Sequence, residues 1–188
     1  KEGTETLSQI KLGEQMIGSG VNALVIGPAG SKALVRVIKK AVDAGILVVN
    51  IDNKLDDAAL KDKGFTVPFV GPDNRNGAKL AGDYLAQQLK KGDQVGIIEG
   101  VSTTYNAQQR TLGFKDAMTA AGATVIGVQS GDWEIAPGNK VAAAMLTANP
   151  KITALLCGND NMAIGAISAI KAAGKTGTVR VIGYDNIK

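Results

Sequence analysis

Residues 23–49, ALVIGPAGSKALVRVIKKAVDAGILVV, decide the fold. Two short apolar runs, at 23–26 and 46–49, flank a segment whose apolar residues recur every three or four positions. Short runs rich in β-branched residues are typical of strands, and a 3.6-residue period is typical of an amphipathic helix. The stretch is therefore predicted to form a strand, a helix and a second, parallel strand joined by a right-handed crossover.

The same alternation of apolar runs and helical periods continues along the chain. Further strands are predicted at 95–98, 125–128, 152–156 and 179–182. Most of these runs lack alternating polar residues, as expected of parallel strands whose two faces are both covered. Strand–helix units in series predict an α/β fold built on doubly wound parallel sheets. The high glycine content, 24 of 188 residues, is interpreted as many tight turns.

Residues suited to helix ends lie where the predicted helices should begin and end. Ser31 and Asp160 are predicted N-caps. Lysine pairs at 39–40 and 90–91 are predicted to lie in last turns, where cations meet the negative end of the helix dipole. The net charge of +4 is therefore attributed to helix ends rather than to a nucleic-acid surface. The glycines expected to end helices in a left-handed conformation are Gly45, Gly92, Gly122 and Gly174.

Composition argues against most catalytic and cofactor chemistry. The chain has no histidine, so histidine triads and histidine metal sites are excluded. Its single cysteine, Cys157, excludes an intramolecular disulfide and is predicted to be buried and inert. Residues 27–31, GPAGS, match neither common phosphate-binding glycine motif. We expect no metal, no cofactor and no nucleic-acid partner. No apolar run reaches membrane-spanning length, and no leader sequence is visible.

A long connection divides the strand series. Residues 52–69 contain acids and lysines without a strong helical pattern, and Gly71-Pro72 then precedes a new helix. A Gly-Pro turn at this point predicts a crossing between two α/β lobes. The predicted lobes are residues 1–72 and residues 73–188.

Polar side chains gather at or just after the ends of the predicted strands. Ligands bind at the carboxyl ends of the strands in open α/β sheets. Carboxylates, amides, a guanidinium and an aromatic ring suit a polar, uncharged ligand rich in hydroxyl groups. The candidates are Asp52, Asn53, Asn106, Arg110, Trp133, Asn159 and Asp185. Trp133 could equally be a core residue, Asp160 is better explained as a cap, and nothing in the spacing of Asp52 and Asp185 supports a catalytic carboxylate pair.

Five stretches carry a resemblance to a known family. They are VVNIDN at 48–53, NGAKLAGDYL at 76–85, NAQQRTLGF at 106–114, CGNDNMAIGA at 157–166 and VIGYD at 181–185. In order and spacing they resemble the periplasmic sugar-binding proteins of the ribose/galactose type, which deliver monosaccharides to ABC transporters. The resemblance covers essentially the whole chain. It implies two Rossmann-like lobes with parallel sheets, joined by hinge strands, with the sugar held between them.

The resemblance also assigns roles to the candidate residues. It implies that Asp52 accepts hydrogen bonds from sugar hydroxyls, that Arg110 donates to sugar oxygens and that Trp133 stacks on the ring. Further contacts would come from Asn106, Asn159 and Asp185. Asn53 stands where ribose binders of the family carry Arg, which leaves room for another sugar or a polyol. The resemblance implies a binding protein with no catalytic residues.

The same resemblance implies what lies beyond the two ends of the chain, which partners the protein has and where it is located. The family begins with a strand ahead of residue 1 and continues beyond Asp185, so both lobes are expected to be incomplete. Ligand capture would proceed by hinge closure, and the closed form would bind a membrane permease; a chemoreceptor is a further partner. The expected location is the periplasm, or a lipid-anchored extracellular site in a Gram-positive source. The alternatives are the effector-binding core of a LacI-type repressor, which shares the fold, and a sugar-processing enzyme.

Overall fold

A computed structural model describes residues 2–187 of the chain, with side chains from residue 5 onward. The Cα positions divide into two compact units. Unit 1 comprises Lys1–Pro72 and Thr103–Asn106, and unit 2 comprises Asp73–Ser102 and Ala107–Lys188. The assignment of 1–72 and 73–188 to the lobes of a binding protein stays a prediction.

Unit 1 is a three-stranded parallel sheet with helices. The strands lie in the order β1-β2-β3, with Ile26 beside Asn50 and Asn50 beside Phe69. The predicted strand–helix–strand unit of residues 23–49 is present. The elements are α1 (Glu2–Gly18), β1 (Ala23–Ile26), α2 (Val35–Asp43), β2 (Leu47–Ile51), α3 (Asp57–Asp62) and β3 (Phe69–Val70).

The sheet of unit 1 buries only one face. Leu24 and Val48 pack against α2, whose Ile38 is fully buried. Alternate residues of the same strands are exposed, although they are equally apolar. The expectation that the strands are covered on both faces is therefore wrong for unit 1, within the part of the chain that the structure describes. The large exposed apolar residues of the three strands, here called the open sheet face, are Val25, Leu47, Ile51 and Val70.

Unit 2 is a four-stranded parallel sheet between two pairs of helices. One core cluster joins the sheet to α4 and α5 around Phe114, and the other joins it to α6 and α7 around Met162. Helices occupy the segments between the predicted strands of this unit. The elements are α4 (Asn74–Ala86), β4 (Gln94–Glu99), α5 (Tyr105–Ala121), β5 (Thr124–Ser130), α6 (Ile135–Ala148), β6 (Ile152–Cys157), α7 (Asp160–Ala172) and β7 (Arg180–Ile182).

The strand order of unit 2 is β5-β4-β6-β7, with every pair parallel. The chain passes from β4 to β5 on one side and then returns to β6 on the other. The order therefore reverses between β4 and β6, and such a reversal opens a crevice at the carboxyl ends of the two strands. The predicted doubly wound parallel α/β fold is confirmed.

Several predicted helix ends are corrected by the structure. The N-cap of α7 is Asn159, whose Oδ1 accepts from the Met162 N–H at 2.9 Å, and not Asp160. α2 begins only at Val35, so Ser31 is no cap; its Oγ accepts from the Tyr105 N–H at 2.9 Å. α4 ends at Ala86, and the lysine pair at 90–91 lies in the following turn with Gly92. The remaining helix-ending glycines have the predicted left-handed φ: Gly45 (77°), Gly122 (69°) and Gly174 (67°). No helix within residues 2–187 has both the length and the apolar character to cross a bilayer.

Candidate functional site

Two glycines occupy the strand ends at which the order of unit 2 reverses. Gly100 follows β4 and Gly158 follows β6, at the two strand ends where the order reverses. A Cβ at Gly100 would overlap the ring of Trp133, so the indole lies directly on this glycine. Glycine is therefore required at position 100 for the ring to reach the strand ends.

Arg110, on α5, is buried at the same place, with 7% of its surface exposed. Its Nε donates to Asn74 Oδ1 at 2.8 Å, and its Nη1 donates to the Gly158 carbonyl at 2.8 Å. Nη1 also lies 3.2 Å from Asp185 Oδ1. A buried guanidinium with this many partners is held in a fixed direction, which suits a donor to a bound ligand.

Two aromatic rings flank the same guanidinium. Its central carbon lies 3.9 Å from the centroid of Tyr184 and 5.4 Å from that of Trp133. Trp133 is half-buried and packs against the α6–α7 core cluster. Trp133 therefore packs against the core and also lies beside Arg110. Tyr184 and Asn74 are site residues that the sequence did not single out, although Tyr184 directly precedes Asp185.

Asn159 sits beside this cluster, but both ends of its amide contact the protein. Its Oδ1 caps α7 and its Nδ2 donates to the Trp133 carbonyl at 3.1 Å. Its neighbour Asp160 accepts from the Ile187 N–H at 2.8 Å. α7 therefore anchors both the Trp133 turn and the loop that carries Asp185.

Unit 1 holds the other three predicted site residues. Asp52 follows β2 and is exposed, and its Oδ1 accepts from Asn106 Nδ2 at 3.4 Å. Asn106 is buried with 7% of its surface exposed, and its backbone N–H donates to Asn53 Oδ1 at 3.2 Å. The structure thus brings Asp52, Asn53 and Asn106 together at one strand end.

Asn53 is a buried structural residue in this arrangement. Its Nδ2 donates to the Pro28 carbonyl at 2.7 Å, in addition to the bond from Asn106 to its Oδ1. Asn50, which the sequence did not single out, holds the same loop: its Oδ1 accepts from the Leu55 N–H at 2.8 Å and its Nδ2 donates to the Asn53 carbonyl at 2.8 Å. Of the three predicted residues in unit 1, Asp52 is the one whose side chain is exposed.

Backbone strain marks the same positions. Asp52 has a φ of 57°, Trp133 of 65° and Asp185 of 102°. Side-chain-bearing residues rarely adopt this region, and for a bulky residue such as Trp133 it is an outlier. Strained residues persist where the surroundings hold them, and they cluster at binding sites.

Other chemistry has little basis in the described part of the chain. No group of three or more metal-ligating side chains is found among residues 5–187. Cys157, at the end of β6, is fully buried, and burial, followed by the nearby charge of Asp160, raises the pKa of its thiol. The prediction that Cys157 is buried is confirmed. That it is inert stays a prediction, which the raised pKa supports because the thiolate is the reactive form.

The whole chain matches one family model. A model described as a periplasmic binding protein domain matches residues 1–188. A D-ribose/D-allose-binding protein of Pseudomonas aeruginosa is 65% identical over 188 residues, which is all of this chain and 59% of that protein.

Solved structures agree over nearly the same span. An ABC transporter solute-binding protein of Burkholderia multivorans, holding an unknown ligand built as α-D-erythrofuranose, is 68% identical with a TM-score of 0.97, over 98% of this chain and 65% of that one. A periplasmic solute-binding protein of Actinobacillus succinogenes with bound D-allose is 37% identical with a TM-score of 0.90, over 97% and 65%. The chain thus spans about three fifths of the length of these proteins.

Proposed function

Because the chain belongs to the periplasmic binding protein domain family, we propose that it is the substrate-binding component of an ABC sugar transporter. It would bind a monosaccharide or related polyol in the periplasm and deliver it to a membrane permease. The family match over residues 1–188 and the sugar-binding names of its relatives support this proposal. The transporter names of the structural relatives support a permease partner, and a chemoreceptor partner stays a prediction.

The observation that carries the proposal is the surroundings of Arg110. A buried guanidinium, the carboxylate of Asp185 and the ring of Trp133 meet at the strand ends where the sheet order reverses. Arg110 supplies donors to ring and hydroxyl oxygens, and Asp185 supplies acceptors for hydroxyl protons. The indole face suits the C–H side of a pyranose or furanose.

The cluster of unit 1 contains the other proposed ligand contacts. Asp52 presents an exposed carboxylate that is steadied by Asn106. Asn53 and Asn159 would act mainly by holding their neighbours, because both amides are hydrogen-bonded to the protein. We therefore rank Asp52, Arg110, Trp133 and Asp185 as the direct contacts, with Asn106 as a further one.

D-allose is the first ligand to test, with D-ribose second. The Pseudomonas relative is named for both sugars, and the Actinobacillus structure holds D-allose. A repressor core is disfavoured because the relatives and structures compared above are named as solute-binding proteins. An enzyme is disfavoured because Asp185 is paired with Arg110 and not placed as a proton donor.

Replacement of Arg110 tests the proposal. Arg110→Ala should weaken D-allose binding more than tenfold, because it removes about two charge-assisted hydrogen bonds of the kind worth roughly 1.5–3 kcal/mol each. Isothermal titration calorimetry measures the affinity. If the alanine variant unfolds, Arg110→Lys replaces it, because lysine keeps the positive charge but loses the planar set of donors. Arg36→Ala, an exposed arginine of α2, is the matched control. Failure of D-allose, D-ribose and a polyol panel to bind the wild-type protein would refute the proposal.

A further inference from the structure

Tyr184 makes the closest ring contact to Arg110. The guanidinium carbon lies 3.9 Å from the ring centroid, which is stacking distance, against 5.4 Å for Trp133. Tyr184 is half-buried and packs against the α4–α5 core cluster. The ring is therefore a fixed surface against which the guanidinium plane lies.

The hydrogen bonds of Arg110 and its stacking on Tyr184 restrain different motions of the guanidinium. Bonds to Asn74 and Gly158 fix the Nε and Nη1 edges of the guanidinium. A ring lying on the face restrains the tilt of the guanidinium plane, because tilting loses the cation–π attraction. Together, these contacts define one orientation for the donors of Arg110.

Gly77, in the first turn of α4, makes room for Tyr184. A Cβ at position 77 would overlap the Tyr184 hydroxyl and would lie 3.2 Å from the ring carbon that carries it. The clash is therefore with the hydroxyl much more than with the ring. A glycine within a helix lowers helix propensity, so its presence here calls for such a packing reason.

We propose that Tyr184 is a positioning residue for Arg110: its ring holds the guanidinium in the orientation that binds the sugar, and Gly77 admits its hydroxyl. The inference rests on the proposed function. It assigns no direct sugar contact to Tyr184 and separates the residue that orients the donor from the residue that donates.

The first test removes the ring. Tyr184→Leu should weaken D-allose binding about tenfold, the value of a cation–π contact of roughly 1–2 kcal/mol. Tyr184→Phe should restore affinity to within about twofold, because it keeps the ring face. Tyr84→Leu, an exposed tyrosine of α4, is the matched control and should leave affinity unchanged. A Tyr184→Phe variant as weak as Tyr184→Leu would overturn the proposal.

The second test uses the contact with Gly77. Gly77→Ala should weaken binding in the wild-type background, because the new methyl group displaces the Tyr184 hydroxyl and tilts the ring. The same substitution should have a clearly smaller effect in the Tyr184→Phe background, where the overlapping atom is gone and only ring carbons at 3.2–3.3 Å remain close to the new methyl group. Gly127→Ala, where a Cβ meets nothing within 4 Å, is the control. Equal effects of Gly77→Ala in both backgrounds would contradict the assignment.

The third test distinguishes positioning from direct contact. If Tyr184 acts through Arg110, Tyr184→Leu should add nothing to the loss already caused by Arg110→Lys, as a double-mutant cycle measures. Additive losses would show that Tyr184 touches the sugar itself, and would overturn the proposal. Thermal melting of every variant identifies a general loss of stability.

Failure of the inference and failure of the proposed function give different results. A wild-type protein that binds neither D-allose nor D-ribose refutes the function and the inference together. A wild-type protein that binds, loses binding in Arg110→Ala and keeps it in Tyr184→Leu refutes the inference alone.

Discussion

Asp52, Trp133 and Asp185 are predicted ligand contacts, and each adopts a left-handed backbone. Their residue types and their places after strands were accessible from the sequence. Their φ angles were not, because a loop is forced into this region by tertiary partners, such as the packing of Trp133 on Gly100. Strain of this kind costs on the order of 1 kcal/mol or more per residue.

At Asp52, strain and function can be separated by one substitution. Asp52→Gly should leave the free energy of unfolding within about 1 kcal/mol of wild type, because relief of strain offsets the extra flexibility of glycine in the unfolded chain. It should nevertheless weaken D-allose binding at least tenfold, since the carboxylate is lost. Urea unfolding and calorimetry give the two quantities, with Asp52→Asn as a variant that keeps the side-chain shape. Wild-type affinity in Asp52→Gly would exclude Asp52 as a contact.

The sequence does not show whether an asparagine at a strand end binds a ligand or holds a loop. Asn53 and Asn159 lie at the predicted strand ends, yet both are hydrogen-bonded to backbone groups of their own unit. An asparagine at a strand end can bind a ligand or hold a loop, and its partners lie far away in the sequence. For the same reason the sequence did not distinguish the cap Asn159 from its neighbour Asp160, since both carry a short acceptor.

At the scale of the element, glycine has a second use besides turns. Gly113 in α5 lies against the backbone of α4 at Arg75, and Gly165 in α7 lies against the backbone of α6 at Ile135 and Asn139. Both helix pairs of unit 2 thus approach closely through a glycine in the later helix. The interpretation of the glycine content as turns misses these positions, because helix contact is not visible in a local pattern.

Gly165→Ala tests the importance of this close approach. The added Cβ would overlap the Ile135 carbonyl oxygen, a backbone atom that cannot rotate away. The substitution should lower the free energy of unfolding by about 1–3 kcal/mol, despite alanine's higher helix propensity. Chemical denaturation measures the change, and Gly127→Ala provides the unhindered comparison. A stabilised Gly165→Ala variant would show that α6 and α7 can separate at little cost.

At the scale of the whole molecule, the fold class and the parallel strand order were predictable because apolar runs and helical periods alternate along the chain. Coverage of the sheets was not predictable from the apolar runs themselves. The runs of unit 1 are as apolar as those of unit 2, yet Val25, Leu47 and Val70 each expose more than 60% of their surface. A strand's sequence states what it can bury, whereas the elements packed on it decide which face is buried.

The open sheet face should give the 188-residue chain a measurable affinity for hydrophobic dyes. Leu47→Lys should lower the fluorescence of bound anilinonaphthalene sulfonate, because it places a charge on the middle strand of this face. Leu80→Lys, on α4, changes a leucine of nearly equal exposure (62% against 63%) and serves as the control. Equal decreases in the two variants would mean that the dye does not select the open sheet face.

Because Cys157 is the chain's only cysteine and is fully buried, the rate at which its thiol is labelled reports local opening of unit 2. A thiol reagent can react there only while the end of β6 is open, so the labelling rate under native conditions reports how often that opening occurs. A ligand that binds only while the end of β6 is not open, supplied at 100 times its dissociation constant, should slow labelling by about 100-fold. The labelling rate of Cys157 thus measures how much of the protein has ligand bound, without a probe attached at the binding site.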